Sequence, residues 1–151
     1  MAFASLSSPV GPLTIWEEEG EIVALDWRKR DAPPETAPLT RAVAQLEAYF
    51  AGELEVFDLP LRLGVTDFQK AFSQALIDIP FGHTRTYGDL SKDLGVSAQA
   101  IGQACGGNKI PIIIPCHRVL GATNLGGFSG RNGVEAKIEL LKHEGAASLL
   151  I

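Results

Sequence analysis

The chain has 151 residues, 46% of them apolar and 21% charged, with a formal net charge of −5 and a mean hydropathy of +0.12. That length accommodates one domain or two small lobes with a real core, and no apolar run reaches the roughly 18–20 residues of a membrane span. Two cysteines give no disulfide framework, and the first residues lack the basic and apolar stretches of a secretory signal, so the expected compartment is reducing: the cytoplasm, or the nucleus in a cell that has one.

Pro12–Trp16 and Ile22–Trp27 are β-rich runs joined by the acidic, glycine-containing Glu17–Glu21, which predicts a hairpin preceded by a turn at Ser8-Pro9-Val10-Gly11. Pro33-Pro34 opens a linker. Thr36 to Phe50 has helical spacing at Leu39, Val43, Leu46 and Phe50, with Gly52 as the stop. Thr66-Asp67-Phe68-Gln69 fits a capping box for a helix whose face carries Phe68, Phe72, Leu76 and Ile79, and Pro80 ends it. Thr86-Tyr87-Gly88-Asp89 opens a further helix that Gly95 stops, and Ser97 caps another over Ala98–Cys105. The run Ile110–Ile114, β-branched and flanked by prolines, reads as a buried strand. Gly121–Gly133 is a loop with five glycines, and Val134–Glu144 is a last helix with Val134, Ile138 and Leu141 facing in. The fold class expected is α+β: a small N-terminal β-sheet and helix lobe, residues 1–60, and a mainly helical C-terminal domain, residues 61–151, that contains a helix-turn-helix.

Charge is divided unevenly between these halves. Residues 1–61 hold 4 Lys/Arg against 11 Asp/Glu, a balance of −7, whereas residues 62–151 hold 9 against 7, a balance of +2. A polyanion would therefore meet the second half. Tyr87–Cys105 reads as two short helices joined at Gly95-Val96, where glycine supplies the positive φ of a sharp turn. Either an ordinary helical corner or a DNA-binding unit fits. The second helix is built of small residues, and Gly102 costs it about 1 kcal/mol of helix propensity. Close packing inside the protein or against a groove compensates for that. With no Arg or Lys, this helix is not built to read base edges.

Ile114-Pro115-Cys116-His117-Arg118-Val119 sets a cysteine beside a residue that titrates near neutrality. Cys116 is either packing filler or a nucleophile. Nucleophilicity needs a nearby cation, base or helix N-terminus. His117 is the adjacent base, but neighbours on an extended segment point to opposite faces, so a bridging water joins them more readily than direct contact. Glu144, at the end of the last helix, is placed to orient an imidazole. Cys105 reads as a packed thiol. Cys105, Cys116 and His117 lack a second close-spaced ligand pair, so no metal and no other cofactor is expected.

Taken together, Tyr87, the helix pair, Asn108, Pro115-Cys116-His117-Arg118, Gly127-Phe128-Ser129-Gly130 and His143-Glu144-Gly145 resemble the O6-alkylguanine-DNA alkyltransferases, the methylated-DNA–protein-cysteine methyltransferases. The resemblance covers Phe68–Gly145 and, more weakly, Ser8–Leu13. It implies a suicide repair protein that flips an alkylated guanine out of double-stranded DNA, approached from the minor groove, and takes the alkyl group irreversibly on Cys116. On that resemblance His117 is the base acting through water, Glu144 orients it, and Tyr87 gives a proton to the leaving guanine. Asn108 ties the helix pair to the active-site segment, Val119 and Ser129 lie against the base, and Phe128 and Pro111 line the pocket. Arg118 buttresses the site through a buried hydrogen-bond fork. The protein would act as a monomer, away from membranes.

The chain departs from the family at Gln99, where members usually carry an arginine that fills the space left by the flipped base. Residues 1–61 contain no Cys or His, so the metal ligands of some members' N-terminal lobes are absent. Two other readings compete: a cysteine hydrolase that turns over, and a redox-active lesion sensor that binds DNA without gaining mass. The transferase reading expects the Cys116 sulfur to be exposed and ionisable, at the floor of a base-sized hollow beside the paired helices.

Overall fold

The structure, a computed structural model, describes residues 1–122, 126 and 133–146. It divides into two compact units, Met1–Arg62 and Leu63–Ile151.

The first unit is a three-stranded antiparallel sheet in the order β1-β2-β3, covered by one helix. β1 is Ala2–Leu6, β2 Leu13–Glu18 and β3 Glu21–Asp26. The β2–β3 hairpin matches the sequence pattern. Its two turn residues, Glu19 at φ 54° and Gly20 at φ 84°, both take the positive φ that matches strand twist. β1 has no such signal in the sequence. It is a short mix of Ala2, Phe3, Ala4, Ser5 and Leu6 that pairs with β2 from Ala2↔Glu17 to Leu6↔Leu13. Helix α1, Ala37–Phe50, is capped by the Thr36 hydroxyl, which accepts from the Leu39 N–H at 3.4 Å. Its buried stripe is Leu39, Ala42, Leu46 and Tyr49 rather than the expected Leu39, Val43, Leu46 and Phe50. The larger Tyr49 ring turns inward and leaves Val43 and Phe50 half-buried at the flank.

The second unit begins with α2, Asp67–Ile77, whose capping box of Thr66 and Gln69 forms as the sequence predicts. A two-residue parallel pair, β4 (Arg85–Thr86) with β5 (Val119–Leu120), then sets up the site. α3, Tyr87–Leu94, starts from a capping box of Thr86 and Asp89 and stops at Gly95, φ 68°. α4, Ala98–Gly106, is capped by Ser97. α3 and α4 pack on each other as the expected helix pair. α5 is Val134–Glu144, with Ala136, Lys137, Leu140, Leu141 and Glu144 buried. Val134 is 42% exposed and Ile138 only half-buried, so the inward face is rotated from the expected one. Polar bonds made by Lys137 and Glu144, described below, set that rotation. Among the described residues no helix is long and apolar enough to cross a membrane.

Ile110–Ile114 is not a strand. The run folds into a buried turn, closed by Ile114 N–H to Ile110 O at 2.9 Å and Ile113 N–H to Pro111 O at 2.9 Å. Pro111 lacks the N–H that a ladder needs. Asn108 supplies the pairing instead: its Nδ2 donates to Ile114 O at 2.8 Å and its Oδ1 accepts from Ile110 N–H at 3.0 Å. Ile112 sits at φ 74°, a left-handed conformation that costs a β-branched residue about 1–3 kcal/mol. Full burial of its side chain helps to hold it there.

Candidate active site

The buried turn delivers the chain into a single 3-10 turn, Cys116–Arg118, capped by Pro115 and closed by Val119 N–H to Cys116 O. Three residues per turn spread the three side chains widely around its axis. Cys116 and His117 therefore diverge, although not as neighbours on an extended strand do.

His117 and Arg118 converge on one partner, and Cys116 meets another. His117 is fully buried, and its Nε2 lies 2.8 Å from Glu144 Oε2. Arg118 forks onto the same carboxylate, Nε to Oε1 at 2.8 Å and Nη2 to Oε2 at 3.0 Å, and its Nη1 donates to Ile79 O at 2.6 Å. Burial pushes the Glu144 carboxyl up, but the hydrogen bonds from His117 and Arg118 outweigh it and hold the group at about 2. Burial drives the His117 pKa down; Glu144 opposes this, and the Arg118 and Lys137 charges add to it. The imidazole is therefore neutral while its carboxylate partner is ionised. The proton must then sit on Nε2, donated to Glu144, which leaves the Nδ1 lone pair unprotonated. Nδ1 is buried and has no hydrogen-bond partner among the described residues.

Cys116 is only 3% exposed, contrary to the expectation of an exposed sulfur. The enclosing turn, buried throughout from Ile110 to Val119, is the reason. Burial raises the thiol pKa, while a side-chain hydrogen bond with Asn108 and the Lys137 charge pull it back. The sulfur is thus buried but has a polar partner in Asn108. Asn108 bonds to the turn on one side and to the nucleophile candidate on the other.

The other candidate residues lie around this centre. Tyr87 opens α3, fixed by the capping box before it. Gly126, at φ 71°, approaches its ring so closely that an added Cβ would come within 2.8 Å of Cε2. Pro111 and Val119 are buried in the turn and at its exit. Gln99 is exposed in the first turn of α4. Phe128 and Ser129 lie outside the described residues.

Two family models account for nearly all of the chain. The ribonuclease-like domain of 6-O-methylguanine DNA methyltransferase matches residues 1–63, and the DNA binding domain of the same enzyme matches residues 67–146. The chain belongs to the O6-methylguanine DNA methyltransferase family. A methylated-DNA–protein-cysteine methyltransferase of Mycobacterium tuberculosis is 39% identical over 160 residues, spanning 99% of this chain and 97% of its own. One from Methanosarcina acetivorans is 41% identical, spanning 97% and 99%. Among solved structures, M. tuberculosis OGT in complex with DNA superposes with a TM-score of 0.83 at 41% identity, covering 95% of this chain and 92% of that one.

In this methyltransferase the sequence reading passes over one buried polar residue. Lys137 is fully buried, and its Nζ donates to Val119 O at 2.7 Å. A lysine on the expected outer face of an amphipathic helix gives no sign of burial. Its spacing of seven from Glu144, two turns along one face, was the available signal. Among the described residues, no group of three His, Cys, Asp or Glu side chains is placed to hold a metal ion.

Proposed function

We propose that this methyltransferase repairs O6-alkylguanine in double-stranded DNA by moving the alkyl group irreversibly to Cys116. The observation that carries this reading is the orphaned Nδ1 of His117, next in the chain to a buried cysteine. A neutral imidazole with its far nitrogen tied to a carboxylate is a base waiting for a proton.

The reaction follows from those groups. A water between Cys116 and His117 Nδ1 passes the thiol proton to the imidazole, and Glu144 stabilises the cation formed. The thiolate attacks the alkyl carbon in line, so that the S–C bond forms as the C–O6 bond breaks. Tyr87 gives its hydroxyl proton to the departing guanine. The product is a thioether, which no group in the site cleaves, so each molecule acts once. A buried sulfur confines the chemistry to a base rotated out of the stack and into the protein, at a cost of a few kcal/mol that a weakly pairing lesion lowers.

DNA engagement follows from α4. Gly102 is exposed, and an added Cβ there would meet nothing within 4 Å, so internal packing does not account for the glycine. A helix face of this kind suits close approach to a minor groove with little sequence preference. Gln99 fills the gap in the stack and bonds the orphaned cytosine, with less stacking surface than arginine and no charge. The protein acts as a monomer in the cytoplasm, or in the nucleus of a cell that has one.

Intact-mass measurement after incubation with an oligonucleotide carrying O6-methylguanine tests the reading. The protein gains the mass of one CH2, and Cys116→Ala gains nothing. Continued substrate conversion with unchanged protein mass would mean a hydrolase, and DNA binding without mass gain would mean a sensor.

A further inference from the structure

The short loop between α2 and β4 meets the buried ion pair at three points. Arg118 Nη1 donates to Ile79 O at 2.6 Å, while Nε and Nη2 are taken up by Glu144. Those bonds use the edges of the guanidinium and leave its flat face. The Phe81 ring lies over that face, with Arg118 Cζ 5.9 Å from its centroid. Pro80-Phe81-Gly82-His83 is a tight turn, closed by His83 N–H to Pro80 O at 3.0 Å, and Gly82 takes φ 83° in its third position. A Cβ on Gly82 would stand 3.4 Å from Glu144 O, so the turn lies against the end of α5. From that same helix end His143 meets the Phe81 ring edge-on, with centroids 6.2 Å apart and planes at 81°. His83 Nδ1 lies 3.2 Å from Phe81 O. The ring is therefore braced on both sides. Phe81 is half-buried and Arg118 only 5% exposed, which puts the ring between the guanidinium and solvent.

We propose that Phe81 is a positioning residue for alkyl transfer: its ring covers Arg118, keeps water off the Arg118–Glu144 fork, and so holds Glu144 where it orients His117. This rests on His117 serving Cys116 as the base. Arg118 and His117 share Oε2 of one carboxylate, so whatever loosens the arginine loosens the imidazole. Hydrogen bonds between charged groups strengthen as water is excluded, and a water admitted beside the fork competes for both partners. An aromatic face suits this place better than an aliphatic chain, because it is apolar and still attracts a cation within about 6 Å of its centroid.

The test follows the Arg118 Nε–H resonance by nitrogen-15 NMR, with the single-turnover rate of methyl transfer and the duplex affinity measured beside it. In the natural chain the Nε–H proton exchanges slowly with water. In Phe81→Ala its exchange should quicken by about tenfold or more, and the transfer rate should fall by about tenfold while duplex affinity holds. Phe81→Tyr, which keeps the ring, should retain slow exchange and the natural rate. Phe81→Leu keeps apolar volume without the ring, and should show both changes in smaller measure; it carries the test if Phe81→Ala does not fold. Fast exchange in the natural chain, or natural exchange and rate in Phe81→Ala or Phe81→Leu, overturns the proposal. So does a Phe81→Tyr chain that behaves as Phe81→Ala does. A residue that only fills space would lower the unfolding temperature and leave both readouts where they were. The exchange measurement involves no DNA. A chain that takes no methyl group from DNA would refute the transfer reading and leave the Arg118 result interpretable, whereas unchanged exchange would refute the role of Phe81 and leave the transfer reading intact.

Discussion

Glu144 joins the two histidine and arginine arms of the site, and its chemistry sets the pH behaviour. Its folded pKa, about 2, lies below its ordinary 4.5, so its contribution to stability is complete above 4.5 and is lost as pH falls towards 2. On the order of 3 kcal/mol is at stake by linkage. His117 acts in the same direction, because a neutral buried imidazole loses to an unfolded one that protonates below 6.5. Urea unfolding against pH should therefore show stability falling from near 6.5 downward, and Glu144→Gln should flatten the lower part of that fall. Removing the charge also strands Arg118 in the interior, a loss of about 3–5 kcal/mol at neutral pH. The rate of alkyl transfer has a related signature: its acid limb should lie below 6.5, since the base resists protonation. Position alone singles out Glu144 in the sequence, at the end of the last helix before a glycine. The contact itself, 27 residues from His117, requires the fold. The burial of Lys137 had only its spacing of seven from Glu144 as a signal, and its neighbours suggest a solvated face.

At the scale of elements, caps and helix positions translated well into structure, while the inward faces of α1 and α5 were rotated from those the period suggested. Thr66 with Gln69, Thr86 with Asp89, and Ser97 all cap the helices they precede. Ile110–Ile114 did not translate, since β-branching and apolarity are shared by strands and buried turns, and only the Asn108 bonds decide between them. Two element-scale outcomes follow. Thr86→Val removes the cap that fixes Tyr87; thermal unfolding should report a loss of about 1 kcal/mol, and single-turnover assays a slower transfer. Gly102 sits in open space on a helix, so Gly102→Ala should add up to about 1 kcal/mol of stability. Gly102→Leu should leave folding intact while weakening binding to duplex DNA. Unchanged affinity there would remove α4 from the interface.

Across the whole molecule, charge and architecture diverge. The fold class was legible because each unit repeats one period: alternation then helix in the first, short capped helices in the second. Phe128 and Ser129, by contrast, have only the family pattern to support them. The acidic first unit leaves DNA contact to the second. Residues 63–151 hold 8 Lys/Arg, and Arg118 and Lys137 are buried, so at most six remain for phosphates. The logarithmic salt dependence of duplex binding should then be no steeper than about −5, and a steeper slope would show that the first unit contributes. The central claim, however, is that Cys116 accepts one alkyl group and never releases it. Titration of the protein with excess O6-methylguanine DNA, counting repaired guanines per protein molecule, tests this most directly. A plateau at one, with the label recovered on the Cys116 peptide, is the predicted result; repair continuing beyond one per molecule, or label on any other residue, would contradict it.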